Sequence, residues 1–475
     1  MANDGYSTTD PAVSPVIGIV VSRADRASEH IGEQLLSLVD WDRLTDDSRR
    51  DADGGGVYYR RPGFELRTFD ELHIDMTDPS PAFGTDRRSP EAIAFVSRHS
   101  GETGPLLTAH FTGNFGGVEF GGREGDLART APAIQKRLVR AFDQHAPDGY
   151  DVGIECTHHG PTAIDLPSLF VELGSGEPEW NDPDGAAAVA RSVLELVDDQ
   201  GTPTPPDLLG PDGRPRQLVG FGGGHYAPRF ERIVRETDWA VGHVGSDWQL
   251  DELGAPAASE EVLEDAFEAS RAEHALIEGT KPQLVETVEQ LGYRVVTETW
   301  LREVGDRPLA MVGRLEDELA TVEEGLRFGA VQPTDGVRNF ETAPLPAELL
   351  AEAQGIDADA AREAVETHAV AFETEQAGTR AAGRAAFADA SDRDALVDAL
   401  AAVLRRQYEE VTREDGDVVA RTEGFDPERA VELGVPEGPA FGKLSAGQPV
   451  TVDGETIEPG EVTTERVERF PVEQG

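Results

Sequence analysis

VIGIVVS, Val16–Ser22, is an apolar run of strand length. It reads as a strand covered on both faces, the kind found inside a sheet. After it, Ile31, Leu35, Leu38 and Val39 recur at the three- and four-residue spacing of an amphipathic helix. The pair then repeats along the chain. AIAFVSRH and PLLTAHFTG read as strands, and TAPAIQKRLVRAFDQHA reads as a helix with Thr130 as N-cap and Pro132 in its first turn. DVGIECTH and PSLFVELG are strands, and PDGAAAVARSVLELV is a helix that begins at a proline. QLVGFGG, APRFERIVRET and WAVGHV follow as strand, helix and strand. This alternation predicts an α/β fold with a mixed, largely parallel central sheet flanked by helices.

Texture divides the 475 residues further. Residues 1–15 are polar and read as a flexible N-terminus. Residues 16–330 read as the catalytic core, with Gly-, Pro- and Asp-rich surface insertions near 46–56 and 198–217. Residues 331–423 read as a linker plus an acidic, Ala-rich helical region, and 424–475 as a small turn-rich C-terminal segment. No apolar run is long enough for a membrane span. The polar N-terminus lacks the basic start of a secretory signal, so a cytoplasmic protein is expected. One cysteine excludes an internal disulfide framework.

The charge is extreme. Asp and Glu number 91 against 42 Lys and Arg, a net charge of -49. The acids are spread along the whole chain and are not gathered in a tail. This composition points to a salt-loaded, halophilic cytoplasm in preference to a single basic partner.

Candidate chemistry gathers at predicted strand ends. GIECTHHGPT, Gly153–Thr162, puts Glu155, Cys156, His158 and His159 within five residues. His110 ends LLTAH and precedes the Gly-rich FTGNFGG, Glu172 lies in FVELGSGEPEW, and His225 follows GFGGG. Open α/β sheets build sites beyond strand carboxyl ends. Imidazole and carboxylate are the ligands zinc takes. Strand alternation turns Cys156 away from Glu155, as a small buried hydrophobe. His30 and His243 read as hydrogen-bonded core histidines. GNFGGVEFGG lacks the Gly-Lys-Ser/Thr of a nucleotide-binding loop, and no His-Glu-x-x-His is present. Spacing alone supports metal-assisted hydrolysis. Both adjacent histidines reach one cluster if Gly160-Pro161 bends the chain. Alternatively His158 ligates metal while His159 holds substrate or transfers a proton, and this division is carried forward.

The stretches HFTGNFGG, ECTHHGPT, FVELGSGEPEW and GFGGGHYAPRF occur in that order. With them the chain from about Val16 to Trp300 resembles the archaeal and plant type of D-aminoacyl-tRNA deacylase. The resemblance implies a core like that of peptidyl-tRNA hydrolase and nucleoside phosphorylase. It implies zinc as cofactor and hydrolysis of the ester joining a D-amino acid to the terminal ribose of tRNA. It also implies a site built on His110, Glu155, His158, His159 and His225. Within that site we expect His110, Glu155, His158 and His225 as metal ligands, and His159, Glu172 and Glu177 as catalytic groups. The region from about Thr334 to Glu423 is expected to be an insertion absent from compact members, ahead of a family-like GPAFGKL. Two other readings fit the residues: a zinc amidohydrolase or peptidase on small substrates, and a non-enzymatic RNA-end binding module.

The expected partner is the acceptor end of D-aminoacyl-tRNA, bound by a monomer, with no DNA and no membrane. Two segments oppose the acidic trend: Arg123–Arg140, with Lys136 and Arg137, and the helix bearing Arg229, Arg232 and Arg235. Lys136, Arg137, Arg229 and Arg232 are therefore candidate RNA contacts, and Asn114 in the Gly-rich stretch is a further substrate contact. Glu177 and Glu179 are candidate partners of the substrate α-ammonium, with Trp180 as a wall. Stacking and 2′-OH contacts to a terminal adenosine survive salt better than phosphate contacts.

A net charge of -49 has a direct consequence for stability. At 0.1 M salt the Debye length is about 10 Å and many like charges interact at once; at 1 M it is about 3 Å. The denaturant midpoint is expected to rise steeply between 0.1 M and molar KCl. A midpoint independent of KCl contradicts this.

Overall fold

The apolar run at Val16 becomes β1 (Ser14–Ser22), in the middle of a large sheet. The computed structural model describes residues 14–84, 88–118, 120–332 and 340–472. Residues 1–13 of the expected N-terminal arm and 333–339 of the expected linker lie outside the described residues. The chain divides into two units, Met1–Asp306 and Arg307–Gly475.

In the first unit β1 is joined by β2 (Asp42–Asp46), β3 (Gly56–Arg61), β4 (Phe64–Phe69), β5 (Arg88–Arg98), β6 (Leu106–His110), β7 (Asp151–Ile154) and β8 (Ser168–Gly174). Their order is β2-β3-β4-β1-β5-β8-β6-β7. β4, β1, β5 and β8 are parallel neighbours, β6 runs antiparallel to β8, and β7 is parallel to β6. The predicted mixed, largely parallel sheet is present. The stretch read as an insertion near 46–56 is the connection of the antiparallel β2–β3 pair, which extends the sheet at one edge.

Period-two alternation divides the sheet into two faces. Ile17, Ile19, Val21, Ala92, Ala94, Val96, Leu169, Val171 and Leu173 belong to one core cluster. The same cluster contains Ile31 and Leu35 of α1 (Arg26–Leu38), Leu138 and Phe142 of α2 (Pro132–His145), and residues 186–193 apart from Ala187 and Arg191–Ser192, from the helix after Trp180. Burying each such large side chain contributes about 1.5–3 kcal/mol. Val20, Ile93, Phe95 and Phe170 have the opposite parity and join a smaller cluster with Phe69 and Phe83. That second face carries no helix from the first cluster, and the polar site lies on it.

A short helix α3 (Glu177–Trp180) follows β8 and leads into α4 (Pro183–Leu194), which supplies the residues just described. A second, all-parallel sheet has order β10-β9-β11-β12, with β9 (Gln217–Phe221), β10 (Ala240–Gly245), β11 (His274–Ile277) and β12 (Arg294–Val296). Helix α5 (Pro228–Glu236) joins β9 to β10, and α6 (Asp247–Leu253) follows β10. Thr130 does not cap α2: the N-cap is Ala131, and Thr130 Oγ1 donates to the Ala269 carbonyl.

The second unit has its own core around Leu349, Val365, Phe372, Leu396, Leu400 and Val418. Its Ala-rich stretch, read as helical, holds helices Ala347–Ile356, Ala358–His368 and Ala390–Leu404. Strands Ala371–Glu375 and Arg380–Phe387 interrupt them. Ala371, Ala381, Ala385 and Ala386 pack into that sheet, where burial outweighs alanine's helix preference. No helix among the described residues is long and apolar enough to cross a membrane.

Lys136 is corrected here. Its side chain is buried, and its ammonium donates to the carbonyls of Val234, Thr237 (2.8 Å) and Trp239 (2.9 Å). It closes the C-terminal end of α5 onto α2 and is not presented to RNA. Lys136→Met is expected to lower unfolding free energy by about 2–4 kcal/mol, since three buried carbonyls lose a charged donor. RNA affinity of the folded fraction should not change. Unchanged stability with weakened RNA binding would return Lys136 to the interface.

Candidate functional site

The site is assembled on the sheet face opposite α1, α2 and α4. Phe95, Ser97 and His99 follow one another at alternate positions along and just past β5. The β5–β8 register sets Ser97 beside Glu172, and the β6–β8 register sets His110 beside Phe170. Ser97 Oγ donates to Glu172 Oε1 at 2.8 Å, and the His110 ring stacks on Phe170 with centroids 5.1 Å apart. Glu172 Oε1 lies 3.7 Å from His110 Nε2, too far for a hydrogen bond.

The second half comes from the segment after β7. The strand ends at Ile154, and the chain then runs across to the second sheet. Cys156 N donates to the His225 carbonyl (2.7 Å) and Thr157 N to the Val244 carbonyl (2.8 Å). His243, read as a core histidine, is buried and holds this crossing, with Nδ1 at 2.9 Å from Thr157 Oγ1 and Nε2 at 2.8 Å from the Ala128 carbonyl. His159 takes a left-handed conformation (φ 47°), which breaks strand alternation and lets both adjacent rings face His110. Ring centroids of His158 and His159 lie 4.1 and 4.6 Å from that of His110. Gly160 permits the bend: a Cβ there would lie 2.3 Å from Gly122 N.

Glu155 is at the centre, its side chain fully buried. Its Oε2 is 2.6 Å from His225 Nε2, 3.6 Å from His99 Nε2 and 3.7 Å from His158 Nε2. Burial opposes its charge, but the His225 contact and then the charges of His158, His110 and His99 prevail, holding its carboxyl far below the usual range. Burial lowers the His225 imidazole, yet its contacts with Cys156 and Glu155 outweigh this and push it up to about 10. Burial and the neighbouring His110 hold His158 and His159 well below the ordinary histidine value. Both are therefore neutral, the form that binds metal.

Three donor sets here are spaced to hold a metal ion: His110, His158 and His159; Cys156, His158 and His225; His99, Glu155 and His225. His110 Nε2 and Glu155 Oε1 are buried and have no hydrogen-bond partner among the described residues. His99, Glu155, His158, His159, Glu172 and His225 line a cavity of about 630 Å³.

The structure thus brings together His110, Glu155, His158, His159, Glu172 and His225. Two members were not foreseen. His99 enters through strand register, with Nδ1 at 3.0 Å from Ser175 Oγ. Cys156 was expected as a small buried residue turned away from Glu155; it is buried, and its Sγ lies 3.6 Å from His225 Nδ1, while Glu155 meets Nε2 of the same ring. Asn114 lines the cavity, but its amide nitrogen donates to the Gly121 and Arg123 carbonyls and braces the Gly-rich loop.

The other candidates lie outside the cavity lining. Glu179 Oε2 accepts from Gly176 N at 2.9 Å, which closes the first turn of α3 and occupies the carboxylate. Glu177 is exposed on that turn. Trp180 Nε1 donates to the His99 carbonyl (2.9 Å), so it supports His99 from behind. The Arg137 guanidinium donates to the Glu195 carbonyl. Arg232 pairs with Glu298 at 2.6 Å, and Arg229 lies 3.9 Å from the same carboxylate.

Comparison with known proteins agrees with this geometry. Residues 86–296 match a family model described as D-aminoacyl-tRNA deacylase. A protein of that name from Halorubrum lacusprofundi is 60% identical over 484 residues, covering 96% of this chain and 97% of its own. One from Natronomonas pharaonis is 51% identical over 456 residues, covering 96% and 100%. A crystal structure of a conserved protein of unknown function is similar at 27% identity with a TM-score of 0.52, covering 62% of this chain and 99% of its own. Identity this high over nearly full length, with the family model spanning the residues that build the cluster, shows that the chain belongs to the D-aminoacyl-tRNA deacylase family.

Proposed function

We propose that this chain is a zinc-dependent hydrolase of the ester between a D-amino acid and the terminal ribose of tRNA, releasing D-amino acid and free tRNA. Family membership supports the substrate class. The observation that carries the chemistry is the buried His-Glu-Cys cluster, in which His110 Nε2 and Glu155 Oε1 have no hydrogen-bond partner among the described residues. Buried polar atoms call for a partner. Neutral imidazoles, a carboxylate and one thiol fit zinc.

Glu155, His158 and His225 would hold the metal, with His110 beside them. His225 would serve as a ligand in its neutral form, with the metal cation taking the place of the imidazole proton beside the Glu155 carboxylate. When bound, zinc lowers the pKa of a ligated water to about 7 and polarises an ester carbonyl. Glu172, fixed by Ser97, is placed to take the proton of the attacking water. His159, neutral at the cavity wall, is placed to orient the ester, and the proton taken up by Glu172 is the one returned to the departing ribose oxygen. Asp25 and Glu252 line the same cavity, so the α-ammonium meets carboxylates there and not at Glu177 or Glu179.

The test is hydrolysis of matched D- and L-aminoacyl-tRNA in molar KCl, with and without chelator. D-selective hydrolysis that chelator abolishes and zinc restores is expected. His158→Ala and His225→Ala should each lower kcat/KM by about 100-fold or more while the protein stays folded. Full activity in a metal-free preparation removes the zinc, and hydrolysis without preference for the D-ester removes the function.

A further inference from the structure

Of the three aromatic side chains exposed among the described residues, two line one cavity and the third touches residues that line it. They are Phe120 (53% exposed), Trp248 (41%) and Tyr226 (38%). Phe120 and Trp248 line the mouth of the cavity that contains the metal donors. Tyr226 adjoins it, with its ring centroid 5.0 Å from that of His225 and its hydroxyl 3.4 Å from His99 Nε2. These residues come from unrelated segments: the Gly-rich loop after β6, the turn after β9, and α6. Exposed aromatics are costly on a protein whose surface is otherwise acidic, and clusters of them mark binding sites.

The charges around them are the wrong kind for phosphate. Asp25, Glu155, Glu172 and Glu252 line the cavity, and among the described residues Arg98 is the one arginine or lysine that does so. Of the arginines of α5, Arg232 is paired with Glu298 and Arg235 with Glu231 and Asp143, while Arg229 lies 3.9 Å from Glu298 and does not line the cavity. A polyanion steered by its backbone would find little to hold. A base has a π-face that stacks on aromatic rings, and stacking contributes about 1–3 kcal/mol per base.

We propose that Phe120, Trp248 and Tyr226 form a stacking platform for the unpaired terminal bases of tRNA, positioning the ester over the donor cluster with almost no phosphate contact. The inference rests on the proposed substrate and names how it is recognised. The Gly-rich stretch GNFGGVEFGG then acts as a bracket that presents Phe120, and not as a phosphate cradle. Base stacking also explains how an acidic protein can hold RNA in molar salt, where binding through counterion release fails.

The experiment is equilibrium binding of a short single-stranded oligoribonucleotide with the tRNA 3′-terminal sequence, uncharged by amino acid, to the full chain at 1 and 3 M KCl. One phosphate contact gives a log–log salt slope of about -0.7, which is about a twofold loss over this range. Five contacts would give about a fiftyfold loss. Trp248→Ala and Phe120→Ala should each weaken binding by about tenfold, and Trp248→Phe should restore most of it. A fiftyfold salt effect, or affinity indifferent to both alanine variants, overturns the platform. Because binding is read without catalysis, absence of D-selective hydrolysis would remove the proposed function and leave this result standing on its own.

Discussion

Glu155 is a carboxylate with no exposed surface, and much of the first unit is arranged to keep it charged. Burying an ion costs several kcal/mol unless it is paired and hydrogen-bonded. Its partners come from four separate segments: His99 past β5, His110 at the end of β6, His158 in its own loop and His225 past β9. Apart from His158 none can be supplied by local sequence, so sheet order and the crossing to the second sheet are conditions for the site. Small residues mark the places where backbones must pass closely. A Cβ at Gly174 would lie 2.6 Å from the His99 side chain, and one at Gly160 would meet the backbone of Gly122.

Much of the fold was legible because its signals are local. β1, β5, β6, β8, β9 and β10, with α1, α2, α4 and α5, follow from apolar runs, 3.6-residue spacing and prolines at helix starts. The β2–β3 pair was not, because DDSRRDADGGG has the composition of a loop and hid the strands on either side of it. In the second unit alanine was a poor guide. Its strands are packed by alanines whose preference is helical, and only the tertiary core decides between them.

The site was legible where glycine and histidine met at strand ends. His110, Glu155, His158, His159 and His225 share that signature. His99 has the same local setting as any histidine after a strand, and only the β5–β8 register places it. Cys156 is buried, and its contact with His225 is set by the crossing to the second sheet, which local sequence does not show. The polar candidates outside the cavity share one feature. Glu179, Arg137, Arg232 and Lys136 each satisfy a backbone group or a carboxylate within the fold, and sequence shows a charge without showing its partner.

The account turns on one centre organised by one carboxylate. Zinc binding to the apo-protein in molar KCl, measured by equilibrium dialysis for the parent chain and for Glu155→Gln, tests it most directly. Loss of an outer hydrogen bond at a metal site costs about 10–100-fold in affinity, and loss of the central charge should cost more. The account predicts stoichiometric binding by the parent chain and affinity at least about 100-fold weaker in the folded variant. Equal affinity in the two proteins, or no zinc bound by the parent, would contradict it.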